Sequence, residues 1–370
     1  NVYRVGDISP LTEFEINSSG LAECAARVRK LIGGDDPDSR ASSQPHVKVG
    51  LGLAFCGMKN SGVHSNKDVP DKVLEFGGAL VKVNEDGSVG LNIASIEQGG
   101  GQATALTQIV ADSLGVPFEG VTVVPTDTDS APYDAPTPAS RITFAAGHSA
   151  RLAALDAREK ILEAAGRMMD VEPAGLQLAD GVVSSRNPPA KSLTMQEVAE
   201  YVHYKEMQTI VGSATSKPPG NPPSFGVLCA KVAVDEETGV VKVLEMVDAH
   251  DIGRVVNPIG ATGQVTGAFA QGIGMALSEH LVIDEASGAL VSPDLESYEV
   301  PTALDVPEGI IEFVETDDPA GIGTKGVAES ALHGPVPAIA NAVYDAVGVR
   351  VRRLPVLPAD ILEGIRQRSS

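Results

Sequence analysis

The chain has no tryptophan, only three cysteines, and 4% aromatic residues in all. Cys24, Cys56 and Cys229 are odd in number and far apart, which argues against a disulfide framework and a zinc site. Paired-cysteine motifs for iron–sulfur clusters are missing as well. A reducing, cytoplasmic setting is expected. No apolar run approaches the roughly 20 residues of a membrane span, and no signal-peptide pattern opens the sequence. Basic residues are scarce: 28 Lys and Arg stand against 49 Asp and Glu, a formal net charge of −21. That argues against nucleic acid and anionic membranes as partners, since both need basic patches. No fixed-period repeat is visible.

Glycine, by contrast, is abundant, with 39 among 370 residues. It lets backbone approach backbone or ligand closely, as a cofactor-cradling protein needs. A chain of this length is expected to form two subdomains. We place them at residues 1–180 and 181–370, after an Ala-rich helical stretch.

Periodicity and turn chemistry predict the elements. Residues 21–32 read as a helix, 35–46 as a polar surface loop, and 47–57 as a buried strand. Residues 78–83 and 88–93 flank Asp86-Gly87, a hairpin turn signal. Residues 226–234 and 240–249 make a second hairpin. Residues 105–114, 142–169, 194–204 and 263–280 carry helical patterns, and 175–184 gives short strands turning at Asp180-Gly181. Thr194 and Glu197 have capping-box spacing. Residues 217–223 are too proline-rich for regular structure, and 354–370 read as an exposed terminal helix. Gly267, Gly272 and Gly274 would each cost about 1 kcal/mol inside a helix. Either close helix packing or a ligand would account for them. Hairpins with interspersed helices fit an α+β protein.

Two stretches carry chemistry. Glu97-Gln98-Gly99-Gly100-Gly101-Gln102 lies between a strand and a helix start. Its glycines allow backbone N–H groups to approach an anion or cofactor, and a helix-capping turn is the plainer reading. Gly-x-Gly-x-x-Gly is absent, so a nicotinamide or flavin site is not supported. The second stretch is Gly323-Thr-Lys325-Gly326-Val-Ala-Glu329, followed by Pro335, Pro337 and a helical face of Ile339, Val343 and Val347. A poorly solvated Glu329 would have a raised pKa useful to a general base. A solvated acid at a helix N-terminus is the alternative. Asp127 and Asp129 lack the rest of a calcium loop and read as side-chain-capped turns.

Four segments, in order, resemble the molybdenum hydroxylases, the xanthine dehydrogenase and aldehyde oxidase family, including split-subunit enzymes of the nicotinate dehydrogenase type. Residues 97–102 resemble that family's Glu-Met-Gly-Gln-Gly loop, with Gly100 in place of the usual Gln. Thr126–Asp129 through Thr137-Pro138-Ala139-Ser140-Arg141 resembles the loop that wraps the pterin and lines the substrate pocket. Asp251-Ile-Gly-Arg254-Val-Val-Asn257-Pro258 with Gly263-Gln264 resembles the segment whose Gln meets the pyranopterin phosphate region. Residues 323–329 resemble Gly-Lys-Gly-x-Gly-Glu, whose Glu is the base, with Ala328 in place of a Gly.

The resemblance implies an α+β fold of two elongated subdomains, built of mixed sheets with flanking helices. It implies molybdopterin as cofactor, with the cytosine dinucleotide form among the candidates. Gln98, Gly99, Gly100, Gly101, Gln102, Thr137, Pro138, Ala139, Ser140, Arg141, Gln264, Lys325 and Gly326 are the implied cofactor contacts, and Glu329 the implied catalytic base. No residue is implied as a direct metal ligand. The implied activity is oxidation of a carbon of an N-heterocycle, purine or nicotinate, with water as oxygen source. An aldehyde, carbon monoxide or hydroxybenzoyl-CoA substrate, or a non-catalytic scaffold, is the alternative. The opening residues 1–7 resemble a point inside the family's large subunit, and the family's upstream Gly-Gly-Gly-Phe-Gly-Gly loop does not occur. The chain therefore reads as the second half of a molybdopterin subunit. The implied partners are a second molybdopterin-binding chain, an FAD subunit and a [2Fe-2S] subunit.

Overall fold

The computed structural model describes residues 3–8, 15–33, 40–59, 75–135, 137–188, 190–218 and 220–369. Residues 35–39 of the expected polar loop lie outside these, as do Asn1 and Val2 of the opening, Pro136 and Pro219.

In chain order the elements are α1 (Leu21–Leu31), β1 (Val47–Lys59), β2 (Gly77–Val83), β3 (Val89–Ile93), α2 (Gln102–Leu114), β4 (Val121–Val123) and α3 (Gly147–Met169). Then follow β5 (Leu176–Ala179), β6 (Val182–Ser185), β7 (Ser192–Thr194), α4 (Met195–Tyr204), β8 (Val211–Ser216), β9 (Pro223–Asp235) and β10 (Val241–Asp251). The last are α5 (Pro258–Leu277), β11 (Gly309–Val314), α6 (Ala328–Leu332), α7 (Pro335–Val347) and α8 (Pro358–Ser369).

Both expected hairpins form, β2–β3 and β9–β10, with Gly87 and Gly239 at φ 82° and 77° in their turns. The capping box also forms: Thr194 Oγ1 accepts from the Glu197 amide, and the Glu197 carboxylate accepts from the Thr194 amide. Three details differ from expectation. Helix α5 starts at Pro258, five residues before the expected 263, because Asn257 caps it and accepts from Gly260 N at 3.1 Å. Residues Ile142–Ala146 form a π turn before α3. The terminal helix α8 is docked, with Ile361 fully buried and Arg368 donating to the Val347 carbonyl.

Two four-stranded mixed sheets share one wiring. The first runs β4-β3-β2-β8 and the second β11-β10-β9-β1. In each, an antiparallel hairpin is followed by a loop, a helix and a strand parallel to the hairpin's second strand. That parallel step needs a crossover, and α2 and α5 provide it. In each, a fourth strand pairs antiparallel with the hairpin's first strand. The difference is where that strand comes from. β8 follows its unit, whereas β1 precedes the entire first unit. A third sheet, β5-β6-β7, flanks the first, and the boundary expected at 180/181 falls at its β5–β6 tip.

The cores follow the sheets. One core gathers residues between Ala79 and Ile210 around α2, α3 and α4. The second sheet alternates its side chains: Leu228, Ala230 and Val232 face α5 and α7, while Phe225, Val227 and Cys229 face α1. In both units a helix lies very close to the fourth strand. A Cβ on Gly52 would come within 2.1 Å of the Ala338 carbonyl oxygen, and one on Gly212 within 2.1 Å of that of Ala153. The Ala-rich faces of α3 and α7 exist for this contact. Within α5, a Cβ on Gly272 would meet Pro335 at 2.3 Å, so helix packing accounts for that glycine; among the described residues no neighbour accounts for Gly267. Among the described residues no helix is long and apolar enough to cross a membrane.

Candidate cofactor cleft

Four loops, two from each unit, meet in one cleft of about 230 Å³. From the first unit come Gln98, Gly100, Gln102, Thr137, Ser140 and Thr143. From the second come Arg254, Asn257, Gln264, Thr324, Lys325, Gly326 and Glu329. Sequence reading brought most of these together. Arg254, Asn257, Thr143 and Thr324 were not among the expected contacts, though Asn257-Pro258 is a helix-start signal.

The loop after β3 is organised by its own side chains. Glu97 accepts from the amides of Gly99 (2.8 Å), Gly101 (3.0 Å) and Ala103 (3.0 Å). Burial pushes its carboxyl up, but the hydrogen bonds from the Ala103, Gly101 and Gly99 amides outweigh that and hold it below the ordinary range. Gln102 Oε1 takes the Gly100 and Gln98 amides at 3.0 and 3.3 Å. The glycine amides expected to face a ligand thus turn inward onto these two side chains. Gly101, at φ 73°, caps α2, which is the plainer of the two readings of this turn. The loop docks on α5: Asn257 Nδ2 donates to the Gly101 carbonyl and Gln264 Nε2 to the Gly99 carbonyl, both at 3.4 Å.

Gly99, Gly101, Pro138, Ala139 and Arg141 do not line the cleft. Arg141 is 1% exposed and paired with Glu75 and Asp134, with a further bond to the Ala135 carbonyl. It pins the loop from beneath. Ala139 and Ser140 take positive φ, 57° and 53°, which side chains other than glycine rarely adopt. Ser140, so held, touches Glu329 twice. Its hydroxyl donates to Glu329 Oε2 at 3.0 Å and accepts from the Glu329 amide at 3.1 Å. Among the described residues, two of the five non-glycine residues with positive φ thus lie side by side where the two units meet at the candidate base.

Glu329 sits in the first turn of α6 and is exposed, so the desolvation expected for it is not present in this chain. Lys325 lines the cleft, but its ammonium is held by protein partners. It is buried, 2.8 Å from Asp251 Oδ2 and 3.3 Å from the Ser18 carbonyl. Asp251 also accepts from Gly20 N, Gly253 N and Thr316 Oγ1 at 2.8, 3.1 and 2.7 Å. Lys325 therefore anchors the loop that carries Glu329.

The cleft's chemistry suits a large polar cofactor. Its walls offer carboxamides, hydroxyls and one guanidinium, with Glu329 the one carboxylate among its lining residues, although the chain carries −21 overall. Thr324, 1% exposed, lines it with a hydroxyl that finds no partner among the described residues. A neighbouring cavity of about 640 Å³ shares Arg254 but is walled by Asp112, Glu315, Asp317 and Asp318, a poor match for a phosphate-bearing ligand.

A mixed-sheet pair that brings four donor-rich loops to one cleft is the architecture of a cofactor-binding unit. The chain belongs to the molybdopterin cofactor-binding domain family, whose model matches residues 27–307. It is 32% identical over 369 residues to the putative xanthine dehydrogenase molybdenum-binding subunit XdhA of Escherichia coli K12, covering 98% of this chain and 48% of that one. It is 33% identical over 295 residues to the aldehyde oxidoreductase molybdenum-binding subunit PaoC of the same organism, covering 79% and 39%. The crystal structure of quinoline 2-oxidoreductase from Pseudomonas putida 86 matches with a TM-score of 0.89 at 26% identity, covering 98% of this chain and 48% of that chain. The chain spans about half the length of the curated relatives it matches. The expected α+β fold and molybdopterin as the cofactor of this family both stand.

Proposed function

We propose that this chain is one half of the molybdopterin-binding part of a molybdenum hydroxylase, an oxidoreductase that hydroxylates a carbon of an N-heterocycle with oxygen from water. The observation that carries the reading is the meeting of Glu329, Gln102 and Gln264 on one cleft, with Ser140 of the first unit gripping Glu329 of the second. The two four-stranded units are its two cofactor-binding subdomains. The likeness to quinoline 2-oxidoreductase and to a xanthine dehydrogenase subunit supports a heterocyclic substrate. The likeness to PaoC supports an aldehyde as the second reading.

Gln98, Gln102, Asn257, Gln264 and Arg254 would hold the pterin and its phosphate through neutral donors and one cation. Gln102 supplies a carboxamide close to where the family pattern has Gln at position 100. A Cβ on Gly100 would stand 3.0 Å from its amide nitrogen. When bound, the cofactor supplies oxygen transfer and accepts the substrate's electrons. Glu329 acts as general base. Its Oε2 is held by the Ser140 hydroxyl, which leaves Oε1 to take the proton. At about 230 Å³ the cleft is smaller than the roughly 300–1,000 Å³ typical of a complete ligand site, as one wall of a shared site would be. A second molybdopterin-binding chain closes it and desolvates Glu329, and FAD and [2Fe-2S] subunits carry electrons away.

The test is Glu329→Gln in the complex that co-purifies with this chain. Turnover should fall about 10²–10⁴-fold, the usual contribution of a general base, with molybdenum content unchanged. Wild-type turnover would end the assignment. No molybdenum in the intact wild-type complex would favour a non-catalytic scaffold.

A further inference from the structure

Behind Glu329 lies a buried chain of three polar side chains that the reading above does not use. Asp248 and His250 project from the same face of β10, and Ser330 directly follows Glu329 in α6. All three are 0% exposed. His250 Nδ1 is 3.2 Å from Asp248 Oδ1, and His250 Nε2 is 2.8 Å from Ser330 Oγ. Ser330 Oγ donates in turn to the Val327 carbonyl at 2.9 Å.

The Ser330 hydroxyl reaches both the Val327 carbonyl and His250 Nε2, and His250 Nδ1 faces the Asp248 carboxylate. A buried carboxylate, imidazole and hydroxyl thus find their polar partners in one another inside a dry core. Asp248 Oδ2 has no partner among the described residues, and the nearby Cys56 thiol, its pKa raised by burial, is a weak donor. Gly226 leaves the imidazole its place, since a Cβ there would lie 2.2 Å from the ring. The order Ser–His–Asp looks like a nucleophile's, but a hydroxyl with no exposed surface cannot reach a substrate.

We infer that Asp248, His250 and Ser330 are positioning residues for Glu329, fixing the first turn of α6 and hence the direction of the carboxylate. The inference rests on Glu329 being the base. Asp248 orients the His250 ring, His250 holds the Ser330 hydroxyl, and that hydroxyl ties down the Val327 carbonyl two residues before Glu329. Together with the Lys325–Asp251 pair, this holds the Glu329 loop to both faces of β10.

The test uses Ser330→Ala, Ser330→Thr and Asp248→Asn in the whole complex, beside Glu329→Gln. Ser330→Ala should lower kcat about tenfold with KM and molybdenum content unchanged. It should also speed amide exchange of residues 327–331 at least tenfold without affecting residues 97–103. Ser330→Thr, which keeps the hydroxyl, should restore most of both. Asp248→Asn keeps the shape and removes the charge, and should reproduce the exchange and kcat changes should Ser330→Ala fail to fold. Wild-type kcat and exchange in Ser330→Ala or Asp248→Asn, alongside an inactive Glu329→Gln, would overturn the positioning role alone. If Glu329→Gln is active, the base assignment falls, and the exchange data still decide whether the three residues hold the α6 turn.

Discussion

The two units solve one problem in two ways. Each ends its hairpin near an acid that collects donors from the following loop: Glu97 in the first, Asp251 in the second. Glu97 is exposed, and its partners all lie within six residues of it. Asp251 is 0% exposed and draws on Gly20, Thr316 and Lys325, distant in sequence. A local, solvated arrangement is loosely held, because water competes for every bond. A buried one is preformed, because releasing any partner strands a charge. The Gly loop can therefore adapt when a cofactor arrives, while the Glu329 loop is already in place.

The comparison breaks most severely at Lys325. Lys325→Met leaves the buried Asp251 uncompensated and should cost about 3–5 kcal/mol in the denaturant unfolding of the chain. A cost below about 1 kcal/mol would mean that the three other donors suffice. Glu97→Gln should cost no more than about 1 kcal/mol globally, since an exposed charge-assisted network is screened by water. Its signature is local, with faster amide exchange at residues 99–103. Gly100→Gln should be milder still. The new side chain displaces the Gln102 carboxamide, which lies 3.0–3.2 Å from the added Cβ, and frees the amides of Gln98 and Gly100. An unmoved Gln102 in a crystal structure of that variant would count against this packing. The smallest effect is that of acid. The folded pKa of Glu97 lies below its ordinary 4.5, so its contribution is complete above that pH and fades as pH falls through the lowered value. Exchange at residues 99–103, corrected for its intrinsic pH dependence, should stay flat down to about 4.5 and rise below it. Glu97→Gln should abolish that rise.

The same contrast explains what could be read without a structure. Local devices were legible: the Asp86-Gly87 turn, the Thr194–Glu197 box and the glycine cap at Gly101 each need only a few neighbouring residues. Long-range ones were not. Nothing near Lys325 in sequence announces Asp251 as its partner, and nothing near Arg141 announces Glu75, so both read as ligand contacts rather than buried anchors. The solvation of Glu329 depends on what packs over it, which neighbouring residue types do not encode. The docking of α8 rests on Ile361 and Arg368 finding the second core and Val347 across a loop. The shared wiring of the two units escaped notice because it is carried by strand pairing, with no repeated residues and with one strand moved to the front.

That displaced strand dictates an order of assembly on the ribosome. β1, at Val47–Lys59, pairs along its whole length with β9, at Pro223–Asp235. Synthesis runs from the N-terminus, so β1 leaves the exit tunnel long before its partner exists. The strands of the first sheet all lie between Gly77 and Ser216 and can pair in that interval. The nascent chain thus passes through a stage with one finished unit and a thirteen-residue apolar strand still unpaired ahead of it. An unpaired strand of that kind is a template for association with other chains. The rate at which residues 217–235 emerge therefore sets how long the newborn protein is exposed to that hazard.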